Sequence, residues 1–157
     1  MINKSIKINS SSNLQIIDIT YDIKRILDEI NSDIKSNNSN QSNDSNKSNN
    51  SIQSLNGILN VFSKHSTSAI VINENEHGLL ADFEKILKDL VPESNNYKHD
   101  RIDNNAASHI RAFLLGSSET IPIIDGKLDL GTWQSIFFIE LDGPRANRTV
   151  DLVFIVE

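Results

Sequence analysis

The apolar positions in the first part of the chain change from the period of a strand to that of a helix. Ile6 and Ile8 alternate with a lysine, and an apolar, β-branched run at 14–19 follows a turn rich in Ser and Asn. These two runs predict short strands. Thr20 is the predicted N-cap of a helix. Apolar residues recur at helical spacing after it and form the face that should pack on a sheet. These residues are Ile23, Ile26, Leu27, Ile30 and Ile34.

The middle of the chain alternates between the two periods again. Residues 58–72 predict one long strand, with a bend or bulge around its Ser-rich centre. Apolar residues from Leu79 to Leu90 recur at helical spacing, and Pro92 ends that predicted helix. A polar loop at 93–103 leads to a third predicted helix at about 105–115.

The last part of the chain predicts strands joined by tight turns. Asp125-Gly126 is a hairpin signal between apolar runs at 121–124 and 128–130. Two further strands are predicted at 133–141 and 149–156, with a turn between them. Strands in the majority, with three helices, indicate an α+β fold built mainly from antiparallel sheets in a sandwich-like or barrel-like arrangement.

A low-complexity segment interrupts this pattern at residues 36–51. Thirteen of its 16 residues are Ser or Asn, and none is apolar. Such a segment has nothing to bury that would offset the entropy of ordering it. We therefore expect a disordered surface insertion within a single domain that spans residues 1–157.

Composition excludes several classes of function. The formal charge is −6, from 15 basic and 21 acidic residues, which argues against a nucleic-acid partner. The absence of cysteine excludes disulfides, zinc–thiolate sites and thiol nucleophiles, so any metal must be held by imidazole or carboxylate. No signal peptide or membrane-length apolar run is found. We expect a cytoplasmic protein without a membrane partner.

Three of the four histidines occupy positions suited to a functional site. His65 lies within the predicted strand, on a largely apolar face where its imidazole needs a hydrogen-bond partner. His99 stands in a loop beside Asp100, and His109 shares a helix face with Asn105. A single histidine is more often structural than functional, and these three lack a tight ligand spacing.

Acidic residues and arginines form two further groups. Glu74 lies in the run 73–76, which could bind a cation or position water, or else form a polar turn that caps the next helix; His77 is interpreted as a turn or cap residue. Glu140 falls among apolar neighbours and needs either a cation or a protonated state. The simpler, structural interpretation is an ion pair between Glu140 and Arg148. The functional interpretation is that Arg145 and Arg148 bind a phosphate group.

In their order along the chain, these motifs resemble those of the YjbQ-like family (uncharacterised protein family 0047). The matching positions are Gly57, 65–69, 73–75, 97–100, 105–109, 126–134, 142–145 and Arg148. The resemblance covers nearly all of the chain outside residues 36–51. The chain departs from the family pattern at 65–69. Ser66 replaces the family's first threonine after the histidine, and one extra residue precedes Ala69.

The resemblance implies a homotrimer with a divalent metal ion, zinc or manganese being the first choices. It also implies activity of the thiamine-phosphate synthase type, which joins two phosphorylated small molecules and releases pyrophosphate. Glu74 is the candidate general acid or base, or a residue that orients a metal ligand. The candidate metal ligands are His65, His99 and His109, and the candidate substrate-binding residues are Arg145, Arg148, Thr67 and Gln134.

Two alternative functions remain open from the sequence. One is a metal-dependent hydrolase of phosphate esters, in which a metal-bound water would be the nucleophile. The other is a non-catalytic trimer that binds a metal or a metabolite.

Overall fold

The computed structural model describes residues 1–40 and 55–157. In chain order its elements are β1 Ile2–Ile8, β2 Gln15–Asp18, α1 Thr20–Asn40, β3 Gly57–Ser63, β4 Ser68–Glu74, α2 His77–Leu90, a 3-10 turn Lys98–Arg101, α3 Ala106–Leu115, β5 Ser118–Ile124, β6 Lys127–Leu128, β7 Gln134–Glu140 and β8 Arg148–Val156.

The strands form two antiparallel sheets. The first has the order β1-β8-β3-β5-β6, and the second has the order β2-β7-β4. Every recorded strand pair is antiparallel. The predicted α+β class with mainly antiparallel sheets and three helices is therefore confirmed in the described part of the chain.

Strand β7 is buried on both faces, which explains its unbroken apolar run. Ile136 and Phe138 belong to the larger core, which also contains the apolar residues of α1 and the first sheet. Phe137 and Ile139 belong to a second core, against which α2 and α3 pack. Because successive side chains of a strand point to opposite faces, one strand contributes to both cores.

The predicted long strand at 58–72 is two strands in different sheets. Strand β3 pairs with β5 and β8, whereas β4 pairs with β7. The connection at 64–67 carries the chain from one sheet to the other. The prediction of a single strand was wrong because both strands bury apolar residues, so the apolar pattern continues past the break.

Helix α1 differs from the prediction at both ends. The Thr20 hydroxyl accepts a hydrogen bond from the Ile136 amide at 2.8 Å, and the Thr20 amide donates to Asp18 Oδ1. Thr20 thus anchors the helix to β7 rather than capping it. The helix continues to Asn40 and so includes residues 36–40, which the sequence assigned to the insertion. The rest of the predicted insertion, 41–51, lies outside the described residues.

Helix α2 starts at an acidic cap. The Glu76 carboxylate accepts hydrogen bonds from the amides of Gly78 and Leu79, both at 2.7 Å. These bonds stabilise the ionised carboxylate and lower the pKa of Glu76. The interpretation of 73–76 as a capping turn is confirmed, with Glu76 rather than His77 as the cap.

The third helix and the hairpin follow the prediction closely. Asn105 is the N-cap residue of α3, and Gly116 ends the helix. Asp125 and Gly126 both have positive φ, of 52° and 73°, as the tight turn between β5 and β6 requires. Within residues 1–40 and 55–157, no helix is long and apolar enough to cross a membrane.

Candidate functional site

His99 and His109 lie in contact. His99 belongs to the 3-10 turn, and His109 to the first turns of α3. Their ring centres are 5.0 Å apart and their planes are inclined by 79°, an edge-to-face arrangement. The turn is held against the helix by Asp100, whose Oδ1 accepts a hydrogen bond from the Ala106 amide at 2.9 Å. The carboxylate beside His99 therefore positions the turn, and with it the imidazole.

A pocket of about 510 Å³ lies at this histidine pair. Its lining is Tyr97, Lys98, His99, Ala106, His109, Ile110 and Phe113. The wall is mainly apolar and aromatic, and its polar groups are one ammonium, one phenol hydroxyl and two imidazoles. Such a wall suits a small ligand that has an apolar body and an anionic end.

The two imidazoles are close enough to share a metal ion, and ring centres 5.0 Å apart are equally usual for an edge-to-face contact without one, for which the range is about 4.5–7 Å. Across residues 1–40 and 55–157, however, no group of three or more His, Cys, Asp or Glu is arranged to hold a metal. The chain thus brings together two of the three predicted histidine ligands.

His65 has a different partner. Its Nε2 accepts a hydrogen bond from the Thr149 amide at 2.8 Å, so the neutral ring carries its proton on Nδ1. Burial and the positive charge of Arg148 lower the pKa of His65, which favours this neutral form. The sequence placed His65 within a strand, whereas it lies in the connection between β3 and β4.

Glu140 and Arg148 form a buried ion pair. Arg148 donates from Nε to Glu140 Oε2 at 2.7 Å and from Nη2 to Oε1 at 2.6 Å. Nη2 also donates to the Thr67 hydroxyl at 3.1 Å. Burial opposes ionisation of Glu140, but the hydrogen bonds from Arg148 and from the Asp142 amide outweigh it, so the pKa of Glu140 is lowered. The structural interpretation of this pair is confirmed, and Thr67 belongs to it.

Arg145 is half exposed and lies between the two clusters. Its Nη2 donates to Asp142 Oδ2 at 2.8 Å, and the same oxygen accepts a longer bond, at 3.4 Å, from Asn105 Nδ2. The Asp142 amide donates to Glu140 Oε1 at 3.0 Å. Asp142 therefore connects the buried ion pair to the start of α3. Sequence reasoning treated Asp142 only as part of a turn and gave Asn105 no role.

Glu74 and Gln134 lie at the other end of the second sheet. They face each other in the register of β4 and β7, six residues from the Ser68–Glu140 pair. At about 3.3 Å per residue this is roughly 20 Å along the strand. Gln134 Oε1 accepts a hydrogen bond from the Gly131 amide. The structure does not bring these two residues to the buried ion pair, and their functional roles stay predictions.

Comparison with known proteins decides the family. The family model described as UPF0047 protein YjbQ-like matches residues 43–157. The chain belongs to the YjbQ-like family. The resemblance stated from the sequence motifs is thereby confirmed, and the histidine pocket and the buried ion pair are features of a YjbQ-like protein.

Individual relatives support the family assignment, and solved structures of similar proteins support the fold. A UPF0047 protein of Methanothermobacter thermautotrophicus is 67% identical over 93 residues, which are 59% of this chain and 65% of that protein. The match therefore spans less than two thirds of that relative's own length. A hypothetical protein of Aeropyrum pernix K1 superposes with a TM-score of 0.83 at 31% identity, over 100% of both chains. A YbjQ-like protein of unknown function from Sulfolobus solfataricus P2 has a TM-score of 0.81 at 33% identity, over 98% of this chain and 95% of that one.

Proposed function

We propose that this YjbQ-like chain is a metal-assisted enzyme that acts on phosphorylated small molecules. The observation that carries the proposal is the contact of His99 and His109, with ring centres 5.0 Å apart, at the wall of a pocket of about 510 Å³. The ion would be zinc or manganese, since imidazole suits both and the chain contains no cysteine. His65 is a weaker ligand candidate because its Nε2 already accepts a hydrogen bond.

The chain supplies cationic groups for an anionic substrate. Lys98 contributes a positive charge to the pocket lining, and Arg145 has a half-exposed guanidinium. Tyr97 and Phe113 offer flat apolar surface for a ring. Arg148 contributes less to phosphate binding than the sequence suggested, because its Nε and Nη2 are committed to Glu140 and Thr67.

The reaction type that best suits these groups is that of a thiamine-phosphate synthase. A bound divalent ion would supply Lewis-acid stabilisation of the departing pyrophosphate. Lys98 and Arg145 would bind the anionic groups of the two substrates and hold them in place while they are joined. The apolar wall would exclude water from the reacting atoms, which disfavours hydrolysis of the diphosphate.

The proposal includes a cytoplasmic homotrimer. Large apolar side chains near the pocket and elsewhere are exposed in the single chain: Phe113 by 88%, Ile102 by 79% and Trp133 by 72%. Exposed apolar surface of this kind is typical of protein contacts. Light scattering of the purified protein should give three times the chain mass, and Trp133→Ser should lower the assembled fraction. A monomer at micromolar concentration would contradict the trimer.

Product analysis tests the proposed activity. The protein is stripped with a chelator, reloaded with zinc or manganese, and incubated with a pyrimidine diphosphate and a thiazole phosphate. We expect metal-dependent release of pyrophosphate with formation of the joined product, lost in His109→Ala and kept in His77→Ala. His77 is an exposed histidine at the start of α2 and serves as the matched control.

Other outcomes distinguish the rival functions. Free phosphate without a joined product would favour a phosphate-ester hydrolase. Thermal stabilisation by the phosphorylated compounds without any turnover would favour a binding protein. Either result would contradict the synthase proposal.

A further inference from the structure

Asn105 has a buried side-chain oxygen without a partner. Among residues 1–40 and 55–157, its Oδ1 is the buried side-chain polar atom for which no hydrogen bond is found. Asn105 is the N-cap residue of α3, yet its side chain does not cap the helix. An unpaired buried acceptor destabilises the folded chain, because it has lost its hydrogen bonds to water without gaining another. An ordered water, an ion or a group of a second molecule can supply the partner of such an atom.

The orientation of the amide follows from its neighbour. Nδ2 of Asn105 lies 3.4 Å from Asp142 Oδ2, a carboxylate oxygen that also binds Arg145. Rotating the amide by 180° would place two acceptor oxygens against each other. The nitrogen therefore faces the carboxylate, and the oxygen is the atom left unpaired.

The unpaired oxygen belongs to the same end of α3 as the histidine pair. Asn105 lies one turn before His109, whose backbone amide donates a hydrogen bond to the Asn105 carbonyl oxygen at 3.3 Å. Its chain neighbour Ala106 lines the pocket together with His99 and His109. The Ala106 amide also binds Asp100, which fixes the turn that carries His99.

We infer that Asn105 Oδ1 is the third protein ligand of the ion held by His99 and His109. This inference rests on the proposed metal site and adds a ligand to it. An amide carbonyl oxygen is an acceptable ligand for zinc, manganese and harder divalent ions. The sequence predicted His65 as the third ligand. Its Nε2 accepts a hydrogen bond from the Thr149 amide, which leaves no free lone pair on the neutral ring.

The ligand set has a consequence for the substrate class. Two imidazoles and one amide are all neutral, so the ion keeps its full double positive charge. A carboxylate ligand would neutralise half of that charge. The site therefore favours an anionic ligand in its open positions, and a phosphate or diphosphate oxygen is the chemical class that fits.

Metal affinity of Asn105 variants tests the inference. Zinc binding is measured by competition with a chromogenic chelator, and the visible spectrum of the cobalt-substituted protein reports the ligands directly. Asn105→Ala should weaken zinc binding by about tenfold or more, because even residues that only orient a ligand contribute about 10–100-fold. It should also shift the cobalt bands. Asn105→Asp should bind zinc at least as tightly as the wild type.

Asn104 provides the matched control, since it is the exposed neighbour of Asn105. Asn104→Ala and Asn104→Asp should leave zinc affinity and the cobalt bands unchanged, and circular dichroism should confirm that each variant is folded. If His99→Ala and His109→Ala lose metal while Asn105→Ala keeps wild-type affinity and spectrum, the inference is wrong and the histidine site stands. If the wild-type protein binds no zinc, cobalt or manganese, both the inference and the metal site are overturned.

Discussion

Glu140 at the end of β7 and Arg148 at the start of β8 meet in a two-point ion pair, with nitrogen–oxygen distances of 2.7 and 2.6 Å. Glu140 is fully buried, and the Arg148 side chain is 10% exposed. The turn that joins the two strands carries Asp142 and Arg145, and Asp142 links the ion pair to Asn105 at the start of α3. Its energetics can be tested by removing one partner or both.

Removing the Glu140 charge alone should destabilise the protein strongly. Glu140→Leu leaves the Arg148 guanidinium buried without its partner, which costs about 3–5 kcal/mol in the free energy of unfolding. The double variant Glu140→Leu/Arg148→Met removes both charges and should be less destabilised than the single variant. Urea denaturation measures both. A double variant less stable than the single one would contradict this account.

A surface pair provides the control. Lys88 and Glu84 form an i,i+4 pair whose side chains are 51% and 38% exposed. Glu84→Gln should change the free energy of unfolding by less than about 1 kcal/mol, because solvent screens exposed ion pairs.

The stability contributed by His65 should depend on pH. Its folded-state pKa lies below the ordinary 6.5 because of burial and Arg148. At pH values between the folded-state pKa and 6.5, the unfolded chain binds more protons than the folded chain. The contribution of His65 to the free energy of unfolding is therefore complete above pH 6.5 and declines as the pH falls through the folded-state pKa. His65→Gln keeps an acceptor for the Thr149 amide without the titration, and its stability should vary less over that window.

Imidazole NMR titration measures the same property directly. The His65 ring should titrate below pH 6.5. A His65 midpoint above 6.5, or an identical pH dependence of stability in wild type and His65→Gln, would contradict the neutral, hydrogen-bonded state.

Glu76 and Glu74 should respond differently to truncation. Glu76→Ala removes both hydrogen bonds that cap α2 and should cost about 0.5–2 kcal/mol. Within residues 1–40 and 55–157 the Glu74 carboxylate makes no hydrogen bond or ion pair, so Glu74→Ala should leave the thermal midpoint nearly unchanged. Turnover of Glu74→Ala then tests its predicted catalytic role. Equal destabilisation of the two variants would rule out the cap described above.

Gly143 should not tolerate a side chain. A Cβ at this position would lie 2.1 Å from the Ser12 carbonyl oxygen and 2.9 Å from Glu140 Cγ. Gly143→Ala must move backbone next to the buried ion pair and should cost about 1–3 kcal/mol. At Gly131 the nearest atom is the tip of the Gln134 side chain, at 3.2 Å, which can move. Gly131→Ala should therefore lower the thermal midpoint less than Gly143→Ala. A larger loss in Gly131→Ala would contradict the close approach of the backbone at Gly143.

The sequence predicted those features that depend on local chemistry. The apolar spacing before Pro92 predicted α2, and Asp125-Gly126 predicted the β5–β6 turn. The need of Glu140 for a cation followed from its apolar neighbours, and Arg148 was the nearby candidate. In each case the decisive partner lies within about eight residues.

Features that depend on distant partners could not be predicted. Threonine is a favoured N-cap residue, but the Thr20 hydroxyl accepts a hydrogen bond from the amide of Ile136, which is distant in the sequence. His65 likewise finds its partner in a backbone amide of β8, which has no sequence signature. His99 and His109 meet because a 3-10 turn folds onto α3, and a ten-residue separation alone does not predict this.

The stoichiometry of bound metal tests the central claim most directly. Purified, tag-free wild type, His99→Ala, His109→Ala and His77→Ala are incubated with zinc or manganese, desalted and analysed by elemental mass spectrometry. We predict about one ion per chain in wild type and His77→Ala, and loss of the ion in His99→Ala and His109→Ala with the fold retained. Absence of metal from the wild type, or equal occupancy in all four proteins, would contradict a metal site at the His99–His109 contact.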